Sequence, residues 1–427
     1  MLPNDLEENG MKKILTITAT LLAGLALAAC SSNKSASSGK KTVEFYSTKQ
    51  ENVSTYKGLI KEFESKNKDI KVKLVAPADG GTVLKTRLTK NDIPDVLAMG
   101  GDFNFVDVTK ADVLADLSDR PYAKRALPAY TKMLKQYYSG NKMLGMPLAA
   151  NVSGVMYNKD LFKRAGINKT PETWDEFIQD MKQLQSKGIQ PLAFPFKDSW
   201  TAMGIWNQIA GNELPASFIG KRKDNKTSFQ KTHKESAEKF AQLLPFGQKD
   251  IVGLSYNDSN KLFAQGKVAM LINGNFVIPE LVKNNKDINV SMFKLPVSSD
   301  AAKNKVTSGV DVLLAKSKQT KNNAACDKLI SFLTDKENEK KYIDEQFALP
   351  TVKGVEQSNA RLAGVVADAQ AGNIVDYPDH LYPSGFDMAG LLQQFALNYK
   401  DGMKTSEIIN TFLKNADNKF DSANVEE

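Results

Sequence analysis

Cysteine and histidine are scarce in this sequence of 427 residues, which contains two of each. The cysteines are Cys30 and Cys326 and the histidines are His233 and His380, with no HExxH or CxxC spacing among them. A catalytic zinc site is therefore not expected, and neither is another metal or a cofactor. Cys30 lies in a segment expected to be processed, so no disulfide is predicted in the folded part. The apolar spacing around Cys326 predicts a packed thiol on a helix rather than a nucleophile.

Motifs for nucleotide and acyl-transfer chemistry are also missing. No GxSxG elbow occurs, and the pairs Gly80-Gly81 and Gly266-Lys267 lack the spacing of a phosphate-binding loop. The net charge of +8 comes from lysines spread along the chain, without a basic cluster that has interleaved aromatics. A nucleic-acid partner is therefore not expected, whereas proximity to anionic lipid or cell wall is favoured. The many carboxylates leave a glycosidase acid/base pair open.

Residues 11–30 have the layout of a secretory signal. Lys12 and Lys13 give a positive start, and the apolar run 14–29 that follows is too short and too small to span a bilayer stably. The acidic residues 1–10 precede this start, so Met11 rather than Met1 is the expected initiator. This pattern predicts an exported protein.

Small residues come directly before Cys30, in the order Leu-Ala-Ala-Cys. This arrangement resembles the lipobox of bacterial lipoproteins, in which a diacylglycerol is attached to the cysteine thiol and cleavage leaves that cysteine as the new N-terminus. The Ser/Lys/Gly-rich stretch 31–41 has the composition of the flexible tether that a surface anchor needs. The alternative is an ordinary signal peptide with a chance cysteine.

Strand-like and helix-like segments alternate along the rest of the chain, which indicates an α/β fold with two or three domains. Strands are predicted at 42–46, 70–75, 94–99, 266–272 and 306–315, and helices at 52–67, 385–399 and 405–414.

A strong helix start lies at 170–177, with Thr170 as the N-cap and Pro171 in the first turn. Trp174 begins the apolar face of this helix, so a structural role is predicted for it. The polar, lysine-rich segment 220–232 is predicted to be a loop.

A series of short motifs becomes informative through its order. The motifs lie at 45–49 (FYSTK), 93–96 (IPDV), 100–102 (GGD), 145–147 (GMP), 156–161 (MYNKDL), 171–177 (PETWDEF), 263–270 (FAQGKVAM), 272–274 (ING), 307–309 (TSG) and 348–351 (ALPT). In this order the chain, over about residues 42–414, resembles the family 1 extracellular solute-binding proteins, the sugar-binding lipoproteins of ABC importers. The members that bind raffinose, isomalto-oligosaccharides and multiple sugars are the most similar in character.

The resemblance implies an α/β fold of two lobes, a periplasmic-binding-protein-like clamshell with hinge crossovers. Lobe one would contain residues 42–149 plus 307–349, and lobe two residues 150–306 plus 350–427. The crossing segments would pass near 147–155, 306–311 and 349–352.

The resemblance also implies four polar cleft residues. Lys49, after the first strand, corresponds to a polar position facing the cleft, with a solvated loop lysine as the alternative. Asp102 corresponds to a carboxylate that accepts sugar hydroxyls, with a loop or helix-capping role as the alternative. Asn151 and Asp311 lie where the chain crosses between lobes, so their alternative is a structural role in the hinge.

Aromatic platforms are the second requirement of a sugar site, because a pyranose has an apolar C–H face. Phe276 lies where the family usually has Trp, and Trp200 lies in the segment that places an aromatic in the cleft. Core positions are the alternative for Phe276 and the prediction for Trp206. Tyr157 matches a family position that we expect to be mainly structural.

Asp379 and His380, in the sequence YPDHLY, resemble the Asp-His pair that raffinose-type binders present to a terminal sugar. A solvated or capping histidine is the alternative. Tyr382 is a second stacking candidate.

The function implied by the resemblance is capture of an oligosaccharide and its delivery to ABC permease subunits in the membrane, without chemistry on the sugar. The protein would be a monomer anchored through lipid on Cys30 at the extracytoplasmic face of the cell membrane. Two alternatives stay open: a secreted glycoside hydrolase, and a clamshell that binds a solute other than a sugar.

Overall fold

The alternation of strands and helices predicted from the sequence is present in the computed structural model, which describes residues 40–215 and 217–425. The predicted secretory signal, Cys30 with its predicted lipid, and the tether up to residue 39 lie outside the described residues. Lys41, predicted to end the tether, is instead the first residue of a strand. Within the described ranges, no helix combines the length and the apolar character needed to cross a membrane.

Nine described strands form one mixed sheet. They are β1 (Lys41–Ser47), β2 (Ile70–Val75), β3 (Val96–Met99), β4 (Met146–Asn158), β5 (Gln190–Leu192), β6 (Val268–Gly274), β7 (Val290–Phe293), β8 (Val306–Lys316) and β9 (Ile374–Val375). The order is β2-β1-β3-β8-β4-β6-β5, with β7 paired to β4 and β9 to β8. The five predicted strands are therefore all present.

Helices cover the sheet. They are α1 (Val53–Lys66), α2 (Gly80–Thr89), α3 (Phe103–Lys110), α4 (Pro128–Leu134), α5 (Lys159–Ala165), α6 (Trp174–Ser186), α7 (Met203–Glu213), α8 (Phe218–Lys223), α9 (Phe229–Thr232), α10 (Lys234–Leu243), α11 (Tyr256–Ala264), α12 (Ile278–Asn284), α13 (Asn323–Leu333), α14 (Lys336–Gln346), α15 (Ala363–Gln370), α16 (Met388–Lys400) and α17 (Thr405–Val425).

Two long strands, β4 and β8, join the two halves of the sheet. The C-terminal part of β8 pairs antiparallel with β3, and β8 also pairs antiparallel with β4 along most of its length, from Leu314 to Thr307. Beyond Ser153, β4 pairs with β6 and then also with β7. Each of these strands therefore belongs to both halves, which is how a hinge crossover is built.

A third segment crosses beside them. Ala150 and Leu349 exchange backbone hydrogen bonds of 3.0 and 2.7 Å. The side chain of Asn275 links the same region, because its Oδ1 accepts from Val152 N and its Nδ2 donates to the Phe347 carbonyl. After Leu349 the chain stays with the first half: Leu127 N donates to Thr351 O.

The core residues predicted from the sequence are buried. Cys326 lies on α13, fully buried, and burial raises the pKa of its thiol to about 11. Trp174 and Trp206 are buried as predicted, and Tyr157 packs against Phe162 and Phe293.

The structure corrects the predicted start of α6. Thr173, not Thr170, is the N-cap, because its hydroxyl accepts from Glu176 N while the Glu176 carboxylate accepts from Thr173 N. This reciprocal capping box requires an acid three residues after the threonine. Glu176 meets that requirement for Thr173, whereas the third residue after Thr170 is Thr173 itself.

The segment 220–232, predicted to be a loop, contains the end of α8 and all of α9. Arg222 is buried there, with its guanidinium 4.9 Å from the centre of the Phe420 ring and one of its nitrogens donating to the Asp417 carbonyl. The Asp417 carboxylate in turn accepts from Phe229 N at 2.7 Å. These partners come from α17, so the local composition could not reveal them.

Candidate functional site

Three aromatic rings meet at one end of the junction between the two halves. Trp200 and Phe276 lie with ring centroids 6.4 Å apart, and Tyr256 lies 5.0 Å from Trp200. Trp200 is 48% exposed and Phe276 is 46% exposed, whereas Trp206 is buried. Large rings exposed together are unusual on a soluble surface and indicate a contact site.

The backbone around these rings explains their placement. Trp200 lies in a single 3₁₀ turn, Ser199–Ala202, and Asp198 fixes that turn to α11 by accepting from Tyr256 N at 2.7 Å. Phe276 follows β6 in a second short turn, and its ring lies over Gly274. A Cβ on Gly274 would be 2.2 Å from this ring, so the close approach requires glycine there.

Polar groups line a cavity of about 350 Å³ beside the rings. Asn151 and Asp311 come from the crossing strands, and Phe276 and Tyr256 also line the cavity. Asp311 forms an ion pair with Lys49, which follows β1. The pKa of Lys49 is raised: burial alone would lower it, but the charge and hydrogen bond of Asp311 outweigh burial. Lys49 is therefore a charged donor held toward Asp311.

Asp102 caps α3, and its contact with a sugar stays a prediction. Its Oδ1 accepts from Asn104 N at 2.8 Å, and Gly101 N donates to Val310 O at 2.8 Å. These bonds hold the GGD loop against β8. The negative charge of Asp102 also contributes to raising the pKa of Lys49 and the pKa of His380.

His380 and Asp376 form a second polar cluster with Tyr137. Asp376 Oδ1 lies 3.0 Å from His380 Nδ1, and the Tyr137 hydroxyl lies 3.2 Å from the same nitrogen and also donates to Asp376. Burial by itself lowers the pKa of His380, but the carboxylates of Asp376, Asp379 and Asp102 raise it to about 9. The imidazole is therefore a charged donor at neutral pH.

Asp379 and Tyr382 flank His380; Asp379 is partly buried like His380, whereas Tyr382 is buried. Burial raises the pKa of Asp379, and its Oδ1 is buried without a hydrogen-bond partner in the described part of the chain. Tyr382 is buried, packs against Phe386 and accepts a hydrogen bond of 3.4 Å from Trp206 Nε1. The Tyr382 ring belongs to the core of the second half. Stacking of a sugar on this ring stays a prediction.

The structure thus brings the predicted residues into two groups. Lys49, Asn151 and Asp311 lie together near the rings of Trp200 and Phe276, while Asp379 and His380 lie across Gly309 from them. Gly309 faces that second group, because a Cβ on it would be 2.9 Å from the His380 ring.

Sequence reasoning missed several residues of these groups. Tyr256, Tyr137 and Asp376 carry no motif, and nothing in the sequence places them beside Trp200 or His380. The described residues contain no cluster of three or more His, Cys, Asp or Glu side chains that could hold a metal ion.

Comparison with known proteins decides the family. The profile of the bacterial extracellular solute-binding proteins matches residues 46–340. This chain belongs to that family. Its solute-binding fold, a two-lobed α/β clamshell with hinge crossovers, is confirmed, since structural neighbours of this solute-binding protein have the same two-lobed fold.

Individual relatives of this solute-binding protein are informative. The multiple sugar-binding protein of Streptococcus mutans is 32% identical over 359 residues, 81% of this chain and 84% of the relative. The galactooligosaccharide-binding protein of Bacillus subtilis is 28% identical over 362 residues, 81% of this chain and 82% of the relative.

Among solved structures, the unliganded form of RafE from Streptococcus pneumoniae superposes with a TM-score of 0.78 at 26% identity, covering 89% of this chain and 98% of that one. RafE in complex with raffinose gives 0.71 at the same identity, covering 88% and 99%.

Proposed function

We propose that this solute-binding protein captures an oligosaccharide in the cleft between its lobes and delivers it to the permease of an ABC importer. The observation that carries the proposal is the pair of exposed rings, Trp200 and Phe276, beside the ion pair of Lys49 and Asp311. The names of the relatives agree, because they specify multiple sugars, galactooligosaccharides and raffinose.

The chemistry of a sugar fits these groups. A pyranose has an apolar C–H face that stacks on a flat ring and a rim of hydroxyls that need hydrogen-bond partners. Asn151 offers an amide, Asp311 and Asp102 offer carboxylates, and Lys49 offers an ammonium group. Because the partners already hold one another, a ligand meets a prearranged site and loses little free energy in ordering it.

Closure follows from where these groups lie. Lys49 and Asp102 follow strands of the first half of the sheet, whereas Trp200 and Phe276 belong to the second half. A sugar that contacts both lobes stabilises the closed state over the open one, and only such differential contact shifts the equilibrium.

We propose the lobes as residues 42–149 plus 307–349 and residues 150–306 plus 350–427. The contacts of Thr351 with Leu127 favour an exit to the second lobe a few residues after 350. The paths of β4 and β8 support crossings near 147–155 and 306–311.

The anchor is proposed from the sequence. Cys30 would carry a diacylglycerol. Its two acyl chains would hold the protein at the membrane, whereas one acyl chain alone binds a membrane only marginally. The monomer would then search for sugar at the outer face of the membrane, next to its permease. Removal of the predicted signal and lipid leaves residues 31–427 as the soluble form to test.

Calorimetric titration of residues 31–427 with raffinose, a galactooligosaccharide and a maltooligosaccharide tests the proposal. Saturable binding in the micromolar range, about −8 kcal/mol, is expected for one of these classes. Reducing-end assays after long incubation distinguish a hydrolase, which would release new reducing ends. Stabilisation by peptides or anions and by none of the sugars would replace the sugar with another solute.

A further inference from the structure

Phe103 does not belong to the site described so far, yet its side chain is exposed to a similar extent as those of Trp200 and Phe276, which do belong to it. Among the described residues, the large aromatic side chains that are exposed are Phe103, Trp200 and Phe276. Phe103 is 49% exposed and is the first residue of α3. A single exposed apolar side chain is common on a protein surface, so a role for Phe103 depends on what surrounds its ring.

The ring is held firmly in place. Asp102 caps α3 directly before it, and Gly101 is hydrogen-bonded to Val310 of β8. Lys85 Nζ lies 5.5 Å from the centre of the Phe103 ring and forms an ion pair of 2.9 Å with Asp107. The position of Phe103 is thus fixed by the hinge strand on one side and by α2 on the other.

Phe103 lines a cavity of about 680 Å³ that differs from the one beside Trp200. Its lining comes from both halves of the molecule: Phe103 and Tyr137 from the first, and Ile219, His380 and Tyr382 from the second. Within the described part of the chain, the side-chain hydrogen bonds of His380 run through Nδ1, so its Nε2 can donate to a ligand oxygen. The cavity therefore offers a ring together with polar donors, as a sugar requires.

The separation of the two cavities sets the length of the ligand. Phe103 follows β3 and Phe276 follows β6, and two strands, β8 and β4, lie between those strands. Three strand spacings amount to about 14 Å across the sheet. Two pyranose rings joined by one glycosidic oxygen do not reach from one platform to the other, whereas a longer chain does.

We propose that Phe103 is the platform of a further sugar subsite, opposite Trp200 and Phe276, which binds the third or a later ring of an oligosaccharide. The inference rests on the proposed function, since it assigns the length of ligand that the same cleft takes. Phe103 is then the residue through which the first lobe selects trisaccharides and longer chains over disaccharides.

The test compares Phe103→Ala with the unchanged protein in calorimetric titrations of two series, melibiose–raffinose–stachyose and maltose–maltotriose–maltotetraose. In the series that the unchanged protein binds, Phe103→Ala is expected to weaken tetrasaccharide binding at least tenfold and to leave disaccharide binding unchanged. Phe103→Trp is expected to retain tetrasaccharide binding. Val83→Ala, which removes an exposed apolar side chain on α2, is the matched control and is expected to bind as the unchanged protein does.

The outcomes separate the two proposals. If Phe103→Ala weakens binding equally for every chain length, the subsite proposal is overturned and the proposed function stands. The same holds if Phe103→Ala weakens no binding while Trp200→Ala still lowers affinity. Absence of binding to every sugar in the unchanged protein overturns the proposed function and the subsite with it. Melting curves of Phe103→Ala, expected to match those of the unchanged protein because the ring is exposed, show that any loss is not a folding defect.

Discussion

Trp200 and Phe276 lie with ring centroids 6.4 Å apart, although they belong to separate turns of the chain. The Asp198 carboxylate fixes the turn of Trp200 by a hydrogen bond, and the absence of a side chain on Gly274 makes room for the ring of Phe276. Two rings held this way, each nearly half exposed, form a platform that is ready before the ligand arrives.

Trp200→Ala and Phe276→Ala are each expected to weaken sugar binding about tenfold or more, equivalent to about 1.4 kcal/mol. The melting temperature of the unliganded protein should stay nearly unchanged, because neither ring belongs to the core. Calorimetric titration and thermal unfolding measure the two quantities. Met403→Ala, an exposed apolar residue between α16 and α17, is the matched control. Wild-type affinity in both aromatic variants would remove these rings from the site.

Asp311→Asn removes the counter-charge of Lys49 in a half-enclosed position. The ammonium group is then left without its partner, so unfolding free energy should fall by about 1–2 kcal/mol and sugar affinity should also fall. Asp112→Asn breaks the exposed ion pair with Lys318 and should leave both quantities unchanged. Denaturant unfolding and titration compare the two variants. Identical behaviour of the two would mean that the Lys49–Asp311 pair is merely a surface contact.

The pKa of His380, raised to about 9, predicts a pH dependence of stability. A base whose pKa is higher in the folded than in the unfolded state stabilises the fold fully below its ordinary pKa of about 6.5 and loses this contribution as pH rises toward about 9. Stability should therefore decline over that window, and the decline should be smaller in His380→Gln. Urea unfolding of both proteins at about pH 6 and about pH 9 measures the difference. Parallel curves would show that Asp376, Asp379, Asp102 and Tyr137 do not hold an imidazolium.

Cys326 is predicted to be unreactive in the native state. The thiol is fully buried on α13 and its pKa is about 11, so very little thiolate forms at neutral pH. In residues 31–427, which contain no other cysteine, a thiol-specific reagent should label the protein only after unfolding. Rapid labelling of native protein would show that α13 opens easily.

Sequence patterns predicted the fold well where a local rule was sufficient. Residues 70–75 alternate apolar and basic side chains and residues 306–315 are rich in valine and leucine, and the structure has these strands at Ile70–Val75 and Val306–Lys316. The prediction of the start of α6 was wrong because two threonines could serve as the N-cap, and only the position of Glu176 decides between them. Helices α8 and α9 were missed because their order depends on α17, far away in the chain.

Sequence patterns predicted the composition of the site but not its arrangement. Trp200 and Phe276 were identified through a family resemblance, whereas their proximity arises from the crossing strands and could not be obtained from spacing. Tyr256, Tyr137 and Phe103 were missed because single aromatics carry no local signal. Burial and exposure separate the platforms from core residues such as Trp206.

The most direct measurement is the fluorescence of Trp200 during a sugar titration. The chain has three tryptophans, and Trp174 and Trp206 are buried, so a change in emission or in acrylamide quenching on ligand binding should come from Trp200. We predict a saturable blue shift and reduced quenching with the cognate oligosaccharide, both absent in Trp200→Phe, with the sugar recovered unaltered. Tight sugar binding that leaves the exposure of Trp200 unchanged would contradict the account.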